Sequence, residues 1–255
     1  TRNYLHEWLI HKIAVDQGLL ATYYDFVPVK INGVLVGVHA VEEHFAKQLL
    51  ERQMRREGPI LKYDESGAWA YNLAIKNYSD KNRLPYFESS VVLPFKKKKT
   101  RKSPALFKSF LEGQKLLTLF KNRHANVSDI FDIDQLAKYY ALMELSGNNH
   151  AVAWHNRRFY YNPVTQKLEH IFFDIVPFYY GEQPGCHLLK RLKTLQGNPE
   201  NVFDNAVILN AEFKAAYLHY LAHYTSVEYL DAVFETNELY LNTTTSLLNV
   251  EDPSY

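Results

Sequence analysis

The sequence predicts an α+β fold in which antiparallel hairpins alternate with amphipathic helices. Two turn signals support this prediction, because Asn32-Gly33 and Asn162-Pro163 each lie between two runs rich in β-branched and aromatic residues. Apolar residues at helical spacing before, between and after these runs are the third observation. Short hairpins combined with separate helical segments are typical of the α+β class.

The first part of the chain is expected to contain helix, hairpin, helix and strand. Helical spacing extends over residues 3–17. Asn32-Gly33 then favours a type I′ turn, because both positions of that turn need a positive φ. Helix is expected to resume at about Glu42, with Glu43 in its first turn, and to end at Gly58-Pro59. A short strand follows in the sequence ILKY.

A basic run, PFKKKKTRKS at 94–103, divides the chain and holds six basic residues among ten. It could form an anion-binding patch, but neither interleaved aromatic residues nor a glycine cradle accompanies it. We therefore predict a solvated, mobile loop between an amino-terminal part, 1–93, and a carboxyl-terminal part, 104–255. Helices are expected at 104–120, 133–146 and 211–248.

Composition excludes several classes of protein. The 255 residues carry a net charge of +1, which indicates neither a nucleic-acid partner nor a charged membrane surface. One cysteine, Cys186, cannot form an internal disulfide. No apolar run approaches the roughly 20 residues of a membrane-spanning helix. No signal peptide is visible at the start, so we expect a piece that begins inside a longer protein.

The stretch GNNHAVAWHN, residues 147–156, concentrates polar side chains after a predicted helix. It places His150, His155 and Asn156 in one loop, and a hairpin then brings Asp174 to the end of the apolar strand HIFFDI. A carboxylate in that position is costly unless it is paired or binds a cation. An amide oxygen and a carboxylate suit Mg²⁺, which in turn would hold phosphates.

Simpler interpretations of these residues stay open. His155 and Asn156 could cap a helix and fix a turn, and Asp174 could pair with Arg157 or Arg158. The two histidines of the loop are five residues apart, so they support a zinc site only weakly. No nucleophile elbow, P-loop or dinucleotide motif occurs.

The order of loop asparagine, hairpin and aspartate is the order that protein kinases use for their metal ligands. In that template a catalytic aspartate stands five residues before the asparagine. This chain has Ala151 at that position, with His150 beside it. A histidine can also act as a general base near neutral pH.

Four stretches together resemble the CotH family of spore-coat-type atypical protein kinases: RNYLHEWLIHKIAVDQGLL, VPVKINGVLVGVHAVEEHF, REGPILKYDE and WHNRRFYYNPVTQKLEHIFFDI. The family pattern v.v.iNG...GvY.l.E is similar to residues 27–43, with His39 where the family commonly has tyrosine. The resemblance implies an atypical protein-kinase-like fold with antiparallel hairpins and a helical carboxyl-terminal part, in which the amino-terminal lobe is incomplete. Only this resemblance suggests a bacterial protein of the cytoplasm or the cell envelope.

The resemblance further implies ATP and Mg²⁺, or Mn²⁺, as cofactors and transfer of the γ-phosphoryl group to a protein serine or threonine. By this likeness Asn156 and Asp174 match the metal-binding asparagine and aspartate. Glu43 and Lys62 match groups near the nucleotide phosphates. His150 would replace the catalytic acid residue, with His155 beside it.

Three departures from the family pattern favour an alternative function. The Trp-Asp pair usual in the catalytic loop is missing, Val176 stands where a second acid is common, and an upstream basic strand is absent from this chain. The alternative is a pseudokinase-like binding module or envelope scaffold without turnover. A weaker alternative is a metal-dependent hydrolase that uses His150, His155 and Asp174.

Overall fold

The computed structural model describes residues 4–67, 69–70, 86–147, 150–175, 188 and 202–250. Its strands are β1 Tyr24–Ile31, β2 Val34–Glu42, β3 Ile60–Tyr63, β4 Val92–Pro94, β5 Arg158–Asn162 and β6 Lys167–His170. Its helices are α1 Tyr4–Asp16, α2 Lys47–Arg52, α3 Tyr86–Ser89, α4 Lys97–Lys102, α5 Pro104–Lys121, α6 Val127–Ile130, α7 Ile133–Leu145, α8 Val202–Ile208, α9 Ala211–Tyr224 and α10 Val227–Asn249. Helices and antiparallel strands together confirm the α+β class.

The first hairpin forms as predicted. Asn32 and Gly33 connect β1 to β2 with φ values of +52° and +84°, as a type I′ turn requires. The two strands form a separate two-stranded sheet with an irregularity between Val29 and Lys30. Before this hairpin, α1 ends at Asp16, and Gly18 two residues later has a φ of +76°, which is typical of a helix stop.

The second sheet joins strands from both sides of the basic run. Its order is β4-β3-β5-β6, and every neighbouring pair is antiparallel. The hairpin of β5 and β6 surrounds the turn at Asn162-Pro163, as predicted. The central pair, β3 and β5, connects segments that are far apart in the chain, so no local turn specifies it.

The two faces of this sheet contact different parts of the molecule. Leu61 and Phe159 are paired residues, both fully buried in the main core among the helices. Ile60 and Tyr160 are paired on the opposite face, where they pack in a smaller cluster with leucines of α2. Since paired residues in antiparallel strands share a face, the next pair along, Lys62 and Arg158, lies on the α2 side.

The helix expected near Glu42 begins later than predicted. Strand β2 continues through Glu42, and Ala46 is still extended with φ −142° before α2 starts. Glu43 therefore does not begin a helix, and α2 ends well before Gly58-Pro59. The pairing of β2 with β1 keeps the chain extended through Glu42, and this outweighs the helical preference of the glutamates at the end of β2.

The prediction of a mobile loop at 94–103 was wrong. Most of the basic run forms α4, directly after β4. Thr100 is 4% exposed and anchors the helix to the protein, while Lys99 makes an ion pair with Glu57 at 2.6 Å. Lysine and arginine are good helix formers, which agrees with a helix in this run.

The carboxyl-terminal helices follow the predicted pattern with one difference. The segment expected to be helical over 211–248 consists of two helices, α9 and α10, separated at Thr225 and Ser226. Ser226 caps α10 by accepting a hydrogen bond from the backbone nitrogen of Tyr229 at 3.3 Å. None of the described helices is both long and apolar enough to cross a membrane.

Candidate functional site

Helix α7 leads into the polar loop of the candidate site. Asp132 caps the start of α7 by accepting a hydrogen bond from the backbone nitrogen of Gln135 at 3.1 Å. Gly147 follows the end of the helix with φ +64°, and residues 154–156 form one turn of 3₁₀-helix. The asparagines at 148 and 149 lie outside the described residues. The loop thus ends with Asn156 immediately before β5.

Asp174 lies beyond the second hairpin in an unusual backbone conformation. Just before it, the carbonyl of Phe172 accepts a hydrogen bond from the backbone nitrogen of Thr22 at 3.1 Å, which holds the chain against the segment after α1. Asp174 has φ +55°, a left-handed conformation that few residues other than glycine adopt. Such conformations concentrate at functional sites, where the surrounding structure holds them.

Three polar side chains converge at Asp174. The amide nitrogen of Asn156 donates a hydrogen bond to Oδ2 of Asp174 at 2.9 Å. Nδ1 of His150 lies 2.8 Å from the same oxygen and 3.3 Å from the Asn156 nitrogen. We call His150, Asn156 and Asp174 the polar triangle. The structure therefore brings together the two predicted metal ligands and one of the two predicted catalytic histidines.

Exposure to solvent increases from Asn156 to His150. Asn156 is 9% exposed, whereas the side chains of Asp174 and His150 are 19% and 52% exposed. The buried amide is thus held in place while the imidazole reaches solvent. A substrate or cation would therefore approach the triangle from the His150 side.

Asp174 and Asn156 fit a small hard cation that shares its ligands with phosphate and water. A carboxylate offers about four acceptor positions on its two oxygens, so Asp174 can accept both hydrogen bonds and still bind an ion. A half-turn of the Asn156 amide would present its oxygen instead of its nitrogen. The described residues contain no group of three or more His, Cys, Asp or Glu that could hold a metal ion. Mg²⁺ is usually bound by one or two carboxylates plus substrate phosphates, which agrees with this ligand set.

His155 lies at the edge of the site. Its ring centroid is 6.5 Å from that of His150 and 6.0 Å from that of Trp69. The His155 carbonyl accepts a hydrogen bond from Arg158 at 3.0 Å. His155 is thus near His150 but outside the polar triangle.

Lys62 and Glu43 lie in different surroundings and do not pair with each other. Nζ of Lys62 is 3.7 Å from a carboxylate oxygen of Glu65. Glu43 accepts hydrogen bonds from Arg52 at 2.7 and 3.2 Å and one from the backbone nitrogen of Tyr23 at 3.1 Å. Glu43 therefore ties α2 to the first hairpin, whereas Lys62 lies on the sheet face near the site.

Arg158 borders the site, although the sequence suggested it only as a partner for Asp174. It is 8% exposed, and its Nη1 donates hydrogen bonds to the carbonyls of His155 and Arg157. Burial lowers the pKa of Arg158, while the charges of Glu65 and Asp174 act in the opposite direction. Alternation along the RRFYY strand could have placed Arg158 on the Tyr160 face, but not next to Lys62.

Arg157 is a structural residue and does not pair with Asp174. Its Nη2 lies 2.5 Å from a carboxylate oxygen of Asp204, and Nη1 donates to the hydroxyl of Tyr140 at 2.9 Å. Burial lowers the pKa of Arg157, but Asp204 and Tyr140 outweigh it and raise the pKa overall. This buried pair joins the start of β5 to α7 and α8 and fixes the residue that directly follows Asn156.

Comparison with known proteins adds one finding. The family model described as CotH kinase protein matches residues 2–240. The matched region includes both hairpins, Lys62 and the whole polar triangle. No curated protein matches the chain.

Proposed function

This chain belongs to the CotH kinase family, and on that premise we propose that it transfers the γ-phosphoryl group of ATP to a serine or threonine of a protein. The observation that carries the proposal is the contact of both His150 and Asn156 with Oδ2 of Asp174. Catalysis of phosphoryl transfer depends mainly on positioning the two reactants and on neutralising the charge of the transferred group. The polar triangle suits both tasks, because it holds a carboxylate, an amide and an imidazole at one point.

Asp174 and Asn156 are the residues that would hold Mg²⁺ or Mn²⁺. The bound cation would supply neutralisation of the negative charge on the phosphate oxygens. Asn156, which is nearly buried, would keep the Asp174 carboxylate in one orientation. That orientation also depends on the left-handed backbone of Asp174.

His150 would accept the proton of the attacking hydroxyl. When Nδ1 of His150 carries the hydrogen that bonds Asp174, its Nε2 holds the lone pair that can accept a proton. Asp174 then orients the imidazole, much as an aspartate orients the base in a catalytic triad. Because the transition state is loose, a strong base is not essential, and replacement of the usual acid need not abolish turnover.

A binding module without turnover is the second candidate function. The polar triangle already satisfies Asp174 with side chains of its own chain, which is how a purely structural site would look. The described residues also contain no group of three or more His, Cys, Asp or Glu that could hold a metal ion at Asp174. In this case the chain would act as a pseudokinase-like partner or an envelope scaffold. The third alternative, a metal-dependent hydrolase, gains no support from the described geometry.

The test is transfer of labelled γ-phosphate from ATP, with Mg²⁺ or Mn²⁺, to the chain itself and to a mixture of acceptor proteins. We expect label on serine or threonine with the wild-type chain and none with Asp174→Ala. Asp231→Ala changes an exposed aspartate of α10 and should transfer normally. Equal label with Asp174→Ala would contradict the proposal.

His150→Ala separates the two candidate functions. Loss of a general base should lower turnover by about 10²- to 10⁴-fold while ATP binding remains. A wild-type chain that binds ATP with Mg²⁺ but transfers no phosphate identifies the binding module. A chain that neither binds ATP nor transfers phosphate contradicts the kinase proposal and leaves only a scaffold that does not use nucleotide.

A further inference from the structure

Helix α4 concentrates positive charge that the described carboxylates do not neutralise. Its sequence, KKKTRK, contains five basic residues, and all five are exposed to solvent. Among them only Lys99 has a described carboxylate at ion-pair distance, that of Glu57 at 2.6 Å. The other four positive charges therefore lie together on one short helix without a direct counterion in the described part of the chain.

The positions of these charges oppose helix formation. Lys97 and Arg101 are four residues apart, as are Lys98 and Lys102, and like charges at this spacing destabilise a helix. The first turn contains no acidic residue, so its lysines lie at the positive end of the helix dipole. The run is nevertheless ordered as a helix, with Thr100 only 4% exposed. An ordered cluster of like charges favours a surface that binds a partner of opposite charge.

A cavity beside α4 is the second feature of this surface. It has a volume of about 240 Å³ and is lined by residues of α2, α4 and the start of α5. Leu50 and Ile60 in its wall are 1% and 7% exposed, so its apolar atoms lie below the surface. Small-molecule pockets usually measure about 300–1,000 Å³, and this smaller cavity therefore fits a single large apolar side chain. Lys99 also lines the cavity, which connects it to the charges of α4.

We propose that α4 and the neighbouring cavity bind an acidic segment of a partner protein, and that one apolar side chain of this segment enters the cavity. The sequence KKKTRK contains no aromatic residue on which a nucleic-acid base could stack. It also contains no large apolar residue that could enter a lipid surface, and the recessed wall of the cavity cannot reach one. None of these residues belongs to the polar triangle, so the inference does not depend on phosphate transfer.

The experiment is fluorescence anisotropy of a labelled peptide in which glutamates and aspartates flank one leucine, titrated with the intact chain. Wild type should bind this peptide, and added salt should weaken binding because the charges are exposed. Lys98→Gln with Lys102→Gln should weaken binding about three- to tenfold. This variant should not melt at a lower temperature, because it removes a repulsive pair and glutamine is a good helix former. Lys115→Gln with Lys214→Gln removes two exposed lysines elsewhere and should bind as wild type.

A second peptide, with alanine in place of the leucine, tests the cavity. Wild type should bind it about tenfold more weakly, because less apolar surface is buried. Ala46 lines the cavity, and its side chain makes no cap hydrogen bond at the start of α2. Ala46→Leu should therefore fill the cavity and bind the two peptides equally.

Three results would overturn the proposal. The first is no binding of the leucine peptide by wild type, or equal binding by wild type and the variant changed at Lys98 and Lys102. The second is equal binding of the two peptides by wild type, which would remove the role of the cavity. The third is tighter binding of a DNA oligonucleotide or of phosphatidylserine vesicles than of the leucine peptide, which would assign the surface to a different class of partner.

Discussion

The amide nitrogen of Asn156 lies 2.9 Å from Oδ2 of Asp174, although the two residues are eighteen positions apart. The intervening residues form the hairpin of β5 and β6, and the return of β6 alongside β5 brings its two ends together. This contact connects the polar loop to the far end of the sheet. The stability of the hairpin and the geometry of the site therefore depend on each other.

Replacing Asn156 with aspartate should make the fold dependent on a divalent cation. Two carboxylates at this distance repel, and position 156 is 9% exposed, so the cation-free protein should lose on the order of 2 kcal/mol. Mg²⁺ should restore stability because it binds only the folded state. Calorimetric melting with and without MgCl₂ checks this. Asn156→Ala is the control: an equally large response to Mg²⁺ would show that the added carboxylate is not the cause.

Breaking the buried pair of Arg157 and Asp204 should destabilise the protein strongly. Their side chains are 1% and 4% exposed, and removing one partner leaves an uncompensated buried charge. Arg157→Met should therefore cost about 3–5 kcal/mol in the free energy of unfolding. The double change Arg157→Met with Asp204→Leu should regain most of this loss, measured by urea denaturation. A double variant no more stable than the single one would refute the charge explanation.

Stability should fall as the pH drops below about 6.5. Burial, and then the charge of Arg157, hold the pKa of His170 well below its ordinary value. At pH values between the lowered pKa of the folded chain and the ordinary pKa of the unfolded chain, His170 is protonated only in the unfolded chain. Acid therefore favours unfolding. His170 should contribute a slope of about 1.4 kcal/mol per pH unit there. His170→Phe should flatten this part of the stability-against-pH curve, and an unchanged slope would assign it to other groups.

Gly113→Ala in α5 should destabilise the protein although alanine is the better helix former. A methyl group at position 113 would lie 2.7 Å from Cδ1 of Leu61 and 3.1 Å from Cβ of Tyr161. Overpacking of this kind costs about 1–3 kcal/mol, against a gain of about 1 kcal/mol in helix propensity. Gly67→Ala meets nothing within 4 Å and should not lower the melting temperature. A stabilised Gly113→Ala variant would mean that α5 can move away from the sheet.

The parts of the fold that local chemistry specifies could be predicted from the sequence. Asn32-Gly33 and Asn162-Pro163 encode their turns directly, and both hairpins are present. The approach of Asn156 to Asp174 could be predicted for the same reason, because a hairpin returns its ends to one place. The metal-binding role of these two residues stays a prediction.

Long-range contacts explain what the sequence did not reveal. The pairing of β3 with β5 places Lys62 beside Arg158, and no local pattern specifies which strands pair. The contact of Glu43 with Arg52 depends on where α2 begins, which the preceding hairpin decides. The basic run forms a helix with Thr100 buried against the protein, and its charge pattern does not predict that contact.

The most direct test of the account is the affinity of the intact chain for ATP with and without Mg²⁺, compared between wild type and Asp174→Ala. We expect Mg²⁺ to be required for tight binding by wild type and to have no effect on Asp174→Ala. A cooperative melting transition without ligand in both proteins would confirm that the variant is folded, and Asp231→Ala should behave as wild type. Mg²⁺-dependent ATP binding of wild-type strength by folded Asp174→Ala would contradict the assignment of the polar triangle as the metal-nucleotide site.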